Sequence, residues 1–327
     1  MKEIFLVTGA AGFIGSHLVE RLVAEGTPVV GVDNFVTGRR ENIAPYLSLP
    51  ADRFRFLEGD LTRSEVARSA CDGVTHVLHQ ASIPSVPRSV RAPLDSLHSS
   101  ITATVTLFDA ARAAGVKRVV QAASSSVYGG SAPLPAREDA PLRPMSPYAA
   151  AKASQELYAR AYAACMGLDV ITLRYFNVFG PRQAHDNPYS GVIAKFITEM
   201  MAGKNPVIFG DGETSRDFTY VANVVDANLL AARHVFAPGA GESGEVYNIA
   251  RGGRITLLEL VDAINRTLGA SLRPEYEAGR VGDVKHSQAD VGKARRAFGY
   301  EARIGFEEGL GETIAWYRKS LAGERMP

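Results

Sequence analysis

Tyr148 and Lys152 stand four residues apart in Ser146-Pro147-Tyr148-Ala-Ala-Ala-Lys152. Pro147 can open a helix there, and the spacing puts phenol and ammonium on one helical face. An ammonium beside a phenol favours the phenolate. A group with an unperturbed pKa of about 10 needs such help before it can act as a base near neutrality. Upstream, Ser124, Ser125 and Ser126 follow an apolar run ending in Ala122-Ala123. Their hydroxyls are therefore expected at the carboxyl end of a strand, where Ser124 and Ser126 could bridge to a substrate hydroxyl. Taken alone, the Tyr/Lys pair reads as a surface pair and the serine run as a loop.

A third cluster changes that reading. Thr8-Gly9-Ala10-Ala11-Gly12-Phe13-Ile14-Gly15 sets glycines in G-x-x-G-x-x-G spacing between an apolar run and a helical one. Glycines permit the tight turn and a close approach of backbone to pyrophosphate, and the helix N-terminus offers N–H groups and a positive dipole end. Asp33 follows 18 residues after Gly15, at the end of the second apolar run, where a carboxylate can accept from a ribose 2′-OH. The cluster predicts a dinucleotide site. Asp33 repels a 2′-phosphate and so favours NAD over NADP, although Arg39 and Arg40 lie near enough to pair with one. A nicotinamide cation would then join Lys152 in lowering the Tyr148 pKa.

Short apolar strands are expected at 3–8, 29–32, 54–57, 76–79, 118–122 and 170–173, with helices at 13–23, 62–70, 91–114 and 147–166. Strands alternating with helices predict an α/β fold with a Rossmann-type, doubly wound parallel sheet. From residue 177 the connections turn rich in Gly, Pro and Asn, which predicts a smaller C-terminal α/β lobe. The expected division is a dinucleotide-binding domain over 1–176 and a substrate lobe over 177–327, with the chain free to cross between them.

Composition removes other classes. Lys and Arg total 36 against 35 Asp and Glu, a net charge of +1, so there is no basic field for nucleic acid. With 46% hydrophobic and 22% charged residues the chain reads as a soluble globular protein. Cys71 and Cys165 are too few for a disulfide scaffold or a Cys-rich metal centre, so a reducing cytoplasm is expected. The apolar stretch from Ile4 to Ile14 is not read as a signal peptide, because it carries Gly9 and Gly12 and runs into a charged helix. No apolar run reaches the ~20 residues of a membrane span. The seven histidines show no metal-ligand spacing, so no metal is expected. Trp316 and Tyr317 are expected to pack rather than bind.

TGAAGFIG, VDNF, EGDL, HQAS, SSSVYG, SPYAAAK, LRYFNVFGPRQ, FGDGETSRDFTYV and RVGDVKHSQAD occur in that order over essentially the whole chain. In these motifs the sequence resembles the extended short-chain dehydrogenase/reductases, and within them the nucleotide-sugar 4-epimerases. The resemblance implies that Tyr148 takes the proton from the sugar 4-OH, Lys152 tunes it and holds the nicotinamide ribose, and Ser124 assists. The 4-keto sugar would turn over in the pocket and be re-reduced on its other face, with NAD kept bound. It further implies cofactor contacts from Gly9, Gly12, Phe13, Ile14, Gly15, Asp33, Asn34, Asp60, Leu61, Gln80, Ala81, Ser100 and Tyr175. Ser100 stands where the family usually has Asn, and its reach is shorter.

The same resemblance places uridine diphosphate against Asn177, Val192, Arg216, Phe218, Arg280 and Asp283, the arginines suiting phosphate and the aspartate ribose hydroxyls. Related dehydratases and decarboxylases carry an acid in the segment occupied here by Ser125-Ser126, so after oxidation only re-reduction is expected. Ser287 replaces a bulky Tyr of epimerases limited to non-acetylated sugars, leaving room for an N-acetyl group, and Ser85 could hydrogen-bond the acetamide. UDP-GlcNAc/UDP-GalNAc and UDP-glucose/UDP-galactose are the implied pairs. UDP-glucuronate 4-epimerases are also similar, but commonly show Thr where Asn177 stands. A non-catalytic NAD-binding regulator is the reading from another class, and the Ser124, Tyr148 and Lys152 set argues against it. In the family, helices matching 91–114 and 147–166 pair into a four-helix bundle, so a homodimer is implied.

Overall fold

The computed structural model describes residues 2–184, 191–235, 243–279 and 284–322. The chain begins with β1 (Phe5–Thr8), α1 (Phe13–Ala24), β2 (Val29–Asp33), β3 (Phe54–Glu58), α2 (Ser64–Cys71) and β4 (His76–His79). Next come α3 (Val86–Arg91), α4 (Pro93–Ser96), a π-helical turn (Leu97–Thr102), α5 (Ala103–Ala113), β5 (Arg118–Ser124), α6 (Pro147–Met166) and β6 (Val170–Tyr175). The remainder holds β7 (Val178–Phe179), α7 (Val192–Met201), β8 (Val207–Phe209), β9 (Ser215–Arg216), β10 (Thr219–Tyr220), α8 (Val221–Arg233) and β11 (Val246–Ile249). It closes with β12 (Ile255–Thr256), α9 (Leu257–Leu268), β13 (Glu275–Glu277), α10 (Gly292–Phe298) and α11 (Phe306–Leu321).

Seven parallel strands form one sheet in the order β3-β2-β1-β4-β5-β6-β11. Both faces are covered, which is why β1, β2 and β4 read as unbroken buried runs. On one face α1 and α8 bury Leu18, Leu22, Val224 and Leu229 against Phe5, Val7, Val120 and Ile171. On the other, α2, α5 and α6 bury Ala67, Leu107, Phe108 and Tyr162 against Leu6, Val77 and Val119. The strand order reverses between β1 and β4, so a crevice opens beyond their carboxyl ends, at Thr8 and His79.

One expectation changes. The helix expected over 91–114 is broken into α4, a π turn and α5. The break falls on His98-Ser99-Ser100-Ile101-Thr102, where polar and β-branched residues lower helix propensity. The carbonyl of Ser100 there accepts from Gln155 Nε2 at 3.3 Å. The chain crosses between the lobes beyond residue 177: α8 and β11 return to the large sheet, where Val246–Ile249 pairs with Thr172–Tyr175. The smaller lobe is held by α7, α9 and α11 around Ile193, Phe196, Phe218, Leu260, Phe306 and Leu310. Tyr317 is buried in this core and Trp316 packs at its edge, as expected.

Candidate active site

The glycine turn forms because a side chain is disfavoured at Gly9 and excluded at Gly15. Gly9 has φ +64°, and a Cβ there would lie 3.1 Å from the Ala81 backbone. A Cβ on Gly15 would lie 2.0 Å from the Gly9 carbonyl oxygen, so α1 can sit this close to β1 only with glycine. Gly12 begins α1 without a side-chain cap, which leaves the N–H groups of Phe13, Ile14 and Gly15 facing the crevice mouth. Asp33 ends β2, and its carboxylate accepts from the N–H of Ala11 (2.9 Å) and of Phe35 (2.8 Å). Burial raises its pKa, against those backbone donors. An open, donor-rich cradle ending beside a carboxylate fits a dinucleotide. Of the arginines that could meet a 2′-phosphate, Arg40 is paired with Glu58 at 2.6 Å and lies over the Phe35 ring.

Along the crevice, Asn34 Nδ2 donates to Asp60 at 3.0 Å and Leu61 is buried. Gln80 and Tyr175 are brought together, but mainly with each other and with Asn228. Gln80 Nε2 donates to Asn228 Oδ1 (3.0 Å), and the Tyr175 hydroxyl lies 3.1 Å from both Gln80 Oε1 and Asn228 Oδ1. Their cofactor role is thus confined to what this network leaves free. Thr8 Oγ1 accepts from the N–H of Gln80 and of Ala81, so its own proton goes to His79 Nδ1 at 2.8 Å. His79 Nε2 then donates to Thr104 Oγ1 at 2.9 Å, which also takes a bond from Gln155. Burial, with the Lys152 charge adding to it, pushes the His79 pKa down to about 3, so the imidazole is neutral. This chain ties β1 at the glycine turn to the helix that carries Tyr148. Ser100, on the π turn, is buried 3.4 Å from Ser82 Oγ.

Helix α6 is capped by Ser146 Oγ, which accepts from the Ala149 N–H at 3.1 Å, and Pro147 opens it as expected. Tyr148, Lys152 and Glu156 recur at intervals of four and share one face. Ser124 ends β5, accepts from the Ser126 N–H at 3.2 Å, and hydrogen-bonds the Tyr148 phenol. Ser124 and Tyr148 therefore meet where the sheet opens. Burial raises the Tyr148 pKa, and the Ser124 bond opposes it. Lys152 Nζ donates to the Ala122 carbonyl at 2.8 Å, which fixes the ammonium against β5. Burial pulls Lys152 down to about 8, with Glu156 opposing. The Ser126 hydroxyl is buried with no partner in the protein, as a group awaiting a ligand would be.

Behind this face, Arg174 of β6 grips Glu156 with two bonds and lies 4.7 Å over the Tyr128 ring. Tyr128 belongs to the turn that begins at Ser124. The Arg174–Glu156 pair joins residues 18 apart on different elements, so no local spacing announces it. A cavity of about 560 Å³ opens beside the C-terminal half of α6, lined by Glu156, Arg160, Arg174 and Lys293 among others. None of Ser124, Tyr148 or Lys152 lines it.

The substrate end is assembled only in part. Asn177 has φ +36°, and its Nδ2 donates to the Asp217 carbonyl at 3.3 Å. Arg216 Nη1 donates to the carbonyls of Ser215 (3.0 Å) and Lys285 (3.3 Å). Ser287, half-buried, donates its N–H to Ser215 O at 3.0 Å, so the two runs lie side by side. Val192 is the first residue of α7, whose N-terminus lacks a side-chain cap. Phe218 departs from expectation: it is buried against Phe179 and Phe306, so its side chain packs the smaller lobe. Ser85 caps α3, its Oγ accepting from the Arg88 N–H at 3.2 Å. Arg280 and Asp283 lie outside the described residues. Among the described residues no cluster of His, Cys, Asp or Glu could hold a metal ion, and no helix is long and apolar enough to cross a membrane.

Comparison with known proteins adds to this geometry. The NAD dependent epimerase/dehydratase family matches residues 5–250. A UDP-glucose 4-epimerase of Mycolicibacterium smegmatis is 38% identical over 317 residues, 96% of this chain and 98% of that one. The structure of a Thermotoga maritima UDP-glucose 4-epimerase with UDP-glucose superposes with a TM-score of 0.89 at 36% identity, over 97% and 99% of the two chains. A Methanobrevibacter ruminantium UDP-N-acetylglucosamine 4-epimerase in complex with UDP-N-acetylmuramic acid also gives 0.89, at 37% identity over 98% and 100%. Proteins named UDP-glucuronate 4-epimerase and dTDP-glucose 4,6-dehydratase match at 32% and 34% identity.

Proposed function

The chain belongs to the NAD-dependent epimerase/dehydratase family, and on that premise we propose that it inverts C4 of UDP-hexoses, taking both UDP-GlcNAc and UDP-glucose. The observation that carries this reading is the meeting of Ser124 and Tyr148 beside a turn that has serines, not carboxylates, at 125 and 126. Tyr148 takes the proton of the sugar 4-OH and later returns it. Ser124 donates to the phenolate and steers the hydroxyl toward it. NAD, when bound, would supply the acceptor and then the donor of the C4 hydride. Elimination of water from the keto sugar needs an acid and a base placed at C5 and C6, and 125–126 offers none, so the keto sugar is re-reduced.

Gly9, Gly12, Phe13, Ile14, Gly15 and Asp33 hold the cofactor, with Asn34, Asp60, Leu61, Ala81 and Ser100 along the crevice and Lys152 near the nicotinamide ribose. Asn177, Val192, Arg216, Arg280 and Asp283 hold the nucleotide diphosphate. Ser287 and Ser126 face the sugar, and the short Ser287 side chain admits the N-acetyl group. The enzyme works in the reducing cytoplasm as a homodimer, a reading supported by exposed Val90, Leu94 and Leu157 on the adjoining α3, α4 and α6.

Product analysis by anion-exchange chromatography and NMR tests this, with UDP-GlcNAc, UDP-glucose and UDP-glucuronate supplied separately. Galacto products from the first two are expected. Turnover of the uronate alone would move the substrate to that class, and a 4-keto-6-deoxy product would make the chain a dehydratase.

A further inference from the structure

Asp217 is fully buried between Arg216 and Phe218, and the motif around it assigns it no part. Both carboxylate oxygens lie within reach of the Gly252 N–H, at 3.2 and 3.1 Å, and Oδ2 also accepts from the Ala289 N–H at 3.1 Å. The Asp217 carbonyl accepts from Asn177 Nδ2 at 3.3 Å. One residue thus joins four stretches distant in sequence: the end of β6, the β9–β10 run, the loop after β11 and the 287–289 run. Other bonds run in parallel, from Ser287 N to Ser215 O (3.0 Å) and from Gln288 Nε2 to Gly252 O (3.0 Å).

A carboxylate withdrawn from water is costly, and an apolar side chain would serve packing alone better. Burial raises its pKa to about 6 even against these backbone donors and the nearby Arg251 charge. What the carboxylate does that an apolar group cannot is accept from two backbone segments at once.

We propose that Asp217 is a positioning residue of the nucleotide-sugar subsite. Its carboxylate holds the Gly252 loop and the Ser287 run against Arg216 and Asn177, and so sets the span between the diphosphate grip and the side chain facing the sugar. The inference rests on the substrate reading above.

The test compares Asp217→Ala and Asp217→Asn with the parent, each as the NAD-bound enzyme. Asp217→Ala is expected to raise KM for UDP-GlcNAc about 10–100-fold, with kcat within about threefold and NAD occupancy unchanged. Asp217→Asn, whose amide oxygen can stand at Oδ2 and accept both N–H groups, is expected to recover KM to within about threefold of the parent. An unchanged KM in Asp217→Ala would overturn the proposal. So would a loss of kcat or NAD occupancy as large as the rise in KM, or failure of that variant to fold, since Asp217 would then support the whole chain. If the parent itself turns over no UDP-sugar, calorimetry with UDP separates the two ideas. Weaker UDP binding by Asp217→Ala keeps the clamp while the reaction assignment falls, and equal binding overturns the clamp as well.

Discussion

Arg174 and Glu156 meet head to head, Nε to Oε1 at 2.9 Å and Nη2 to Oε2 at 2.7 Å, with each side chain keeping only 4% of its surface exposed. The pair joins β6 to the helix bearing Tyr148 and Lys152, and through Tyr128 to the turn bearing Ser124. Removing one partner strands a buried charge. Glu156→Ala is expected to cost about 3–5 kcal/mol in urea unfolding, whereas the double change Glu156→Met/Arg174→Met costs clearly less. Equal losses in the two proteins would show that the pair is not the source of the penalty.

Lys152 gives a pH signature in stability. Its pKa is about 8 in the folded chain against 10.5 for a free lysine. Below pH 8 both states hold the proton and the folded state bears the full burial cost. Between pH 8 and 10.5 the unfolded chain binds more protons, so stability rises with pH. Each tenfold difference in proton affinity between the two states corresponds to ~1.4 kcal/mol, and Lys152→Met also loses the Ala122 hydrogen bond. In the cofactor-free protein, Lys152→Met is therefore expected to be more stable than the parent by about 1–3 kcal/mol at pH 7. That advantage should narrow as pH approaches 10.5. A constant difference across the range would contradict it.

At the reacting end, Tyr148→Phe removes the proton acceptor but keeps the ring. Turnover is expected to fall by about 10²–10⁴-fold, with NAD occupancy and UDP binding retained. Ser124→Ala removes one hydrogen bond to a charged phenolate and is expected to lower kcat about 10–100-fold. Steady-state kinetics checks both, and a Tyr148→Phe enzyme with parental kcat would reassign the base.

Much of this arrangement is legible in the residues themselves. The glycine turn, the first six strands and the Tyr148 helix announce themselves because their signals are local: apolar runs, a cap and a fixed spacing. β11 gives no comparable signal, since the place of Val246–Ile249 is set by pairing with β6, far back in the chain. The family resemblance implies Phe218 in the substrate pocket, yet in the link between β9 and β10 its ring is buried in the lobe core against Phe179 and Phe306, a long-range packing that no local signal announces. Gln80 follows β4 and Tyr175 ends β6 at the crevice, but their partner Asn228 comes from α8, which no motif connects with them. Asp217 escapes notice for the same reason, since both its backbone donors are non-local.

Ser287 governs the C2 end of the sugar in the proposed function. Ser287→Tyr is expected to lower kcat/KM for UDP-GlcNAc relative to UDP-glucose by roughly 10–200-fold, the range that pocket size alone discriminates. Initial rates with the two substrates in competition measure the ratio, and no change would place the acetamide elsewhere.

The most direct test of C4 inversion is the fate of the hydrogen at C4. UDP-GlcNAc and UDP-glucose deuterated at C4 are incubated with the enzyme and its bound NAD in ordinary water, and the galacto products are examined by NMR and mass spectrometry. Full retention of deuterium at C4, with inverted configuration and no label in solvent, is the predicted result. Loss of the label to water, or a product that keeps its 4-keto group, would contradict it.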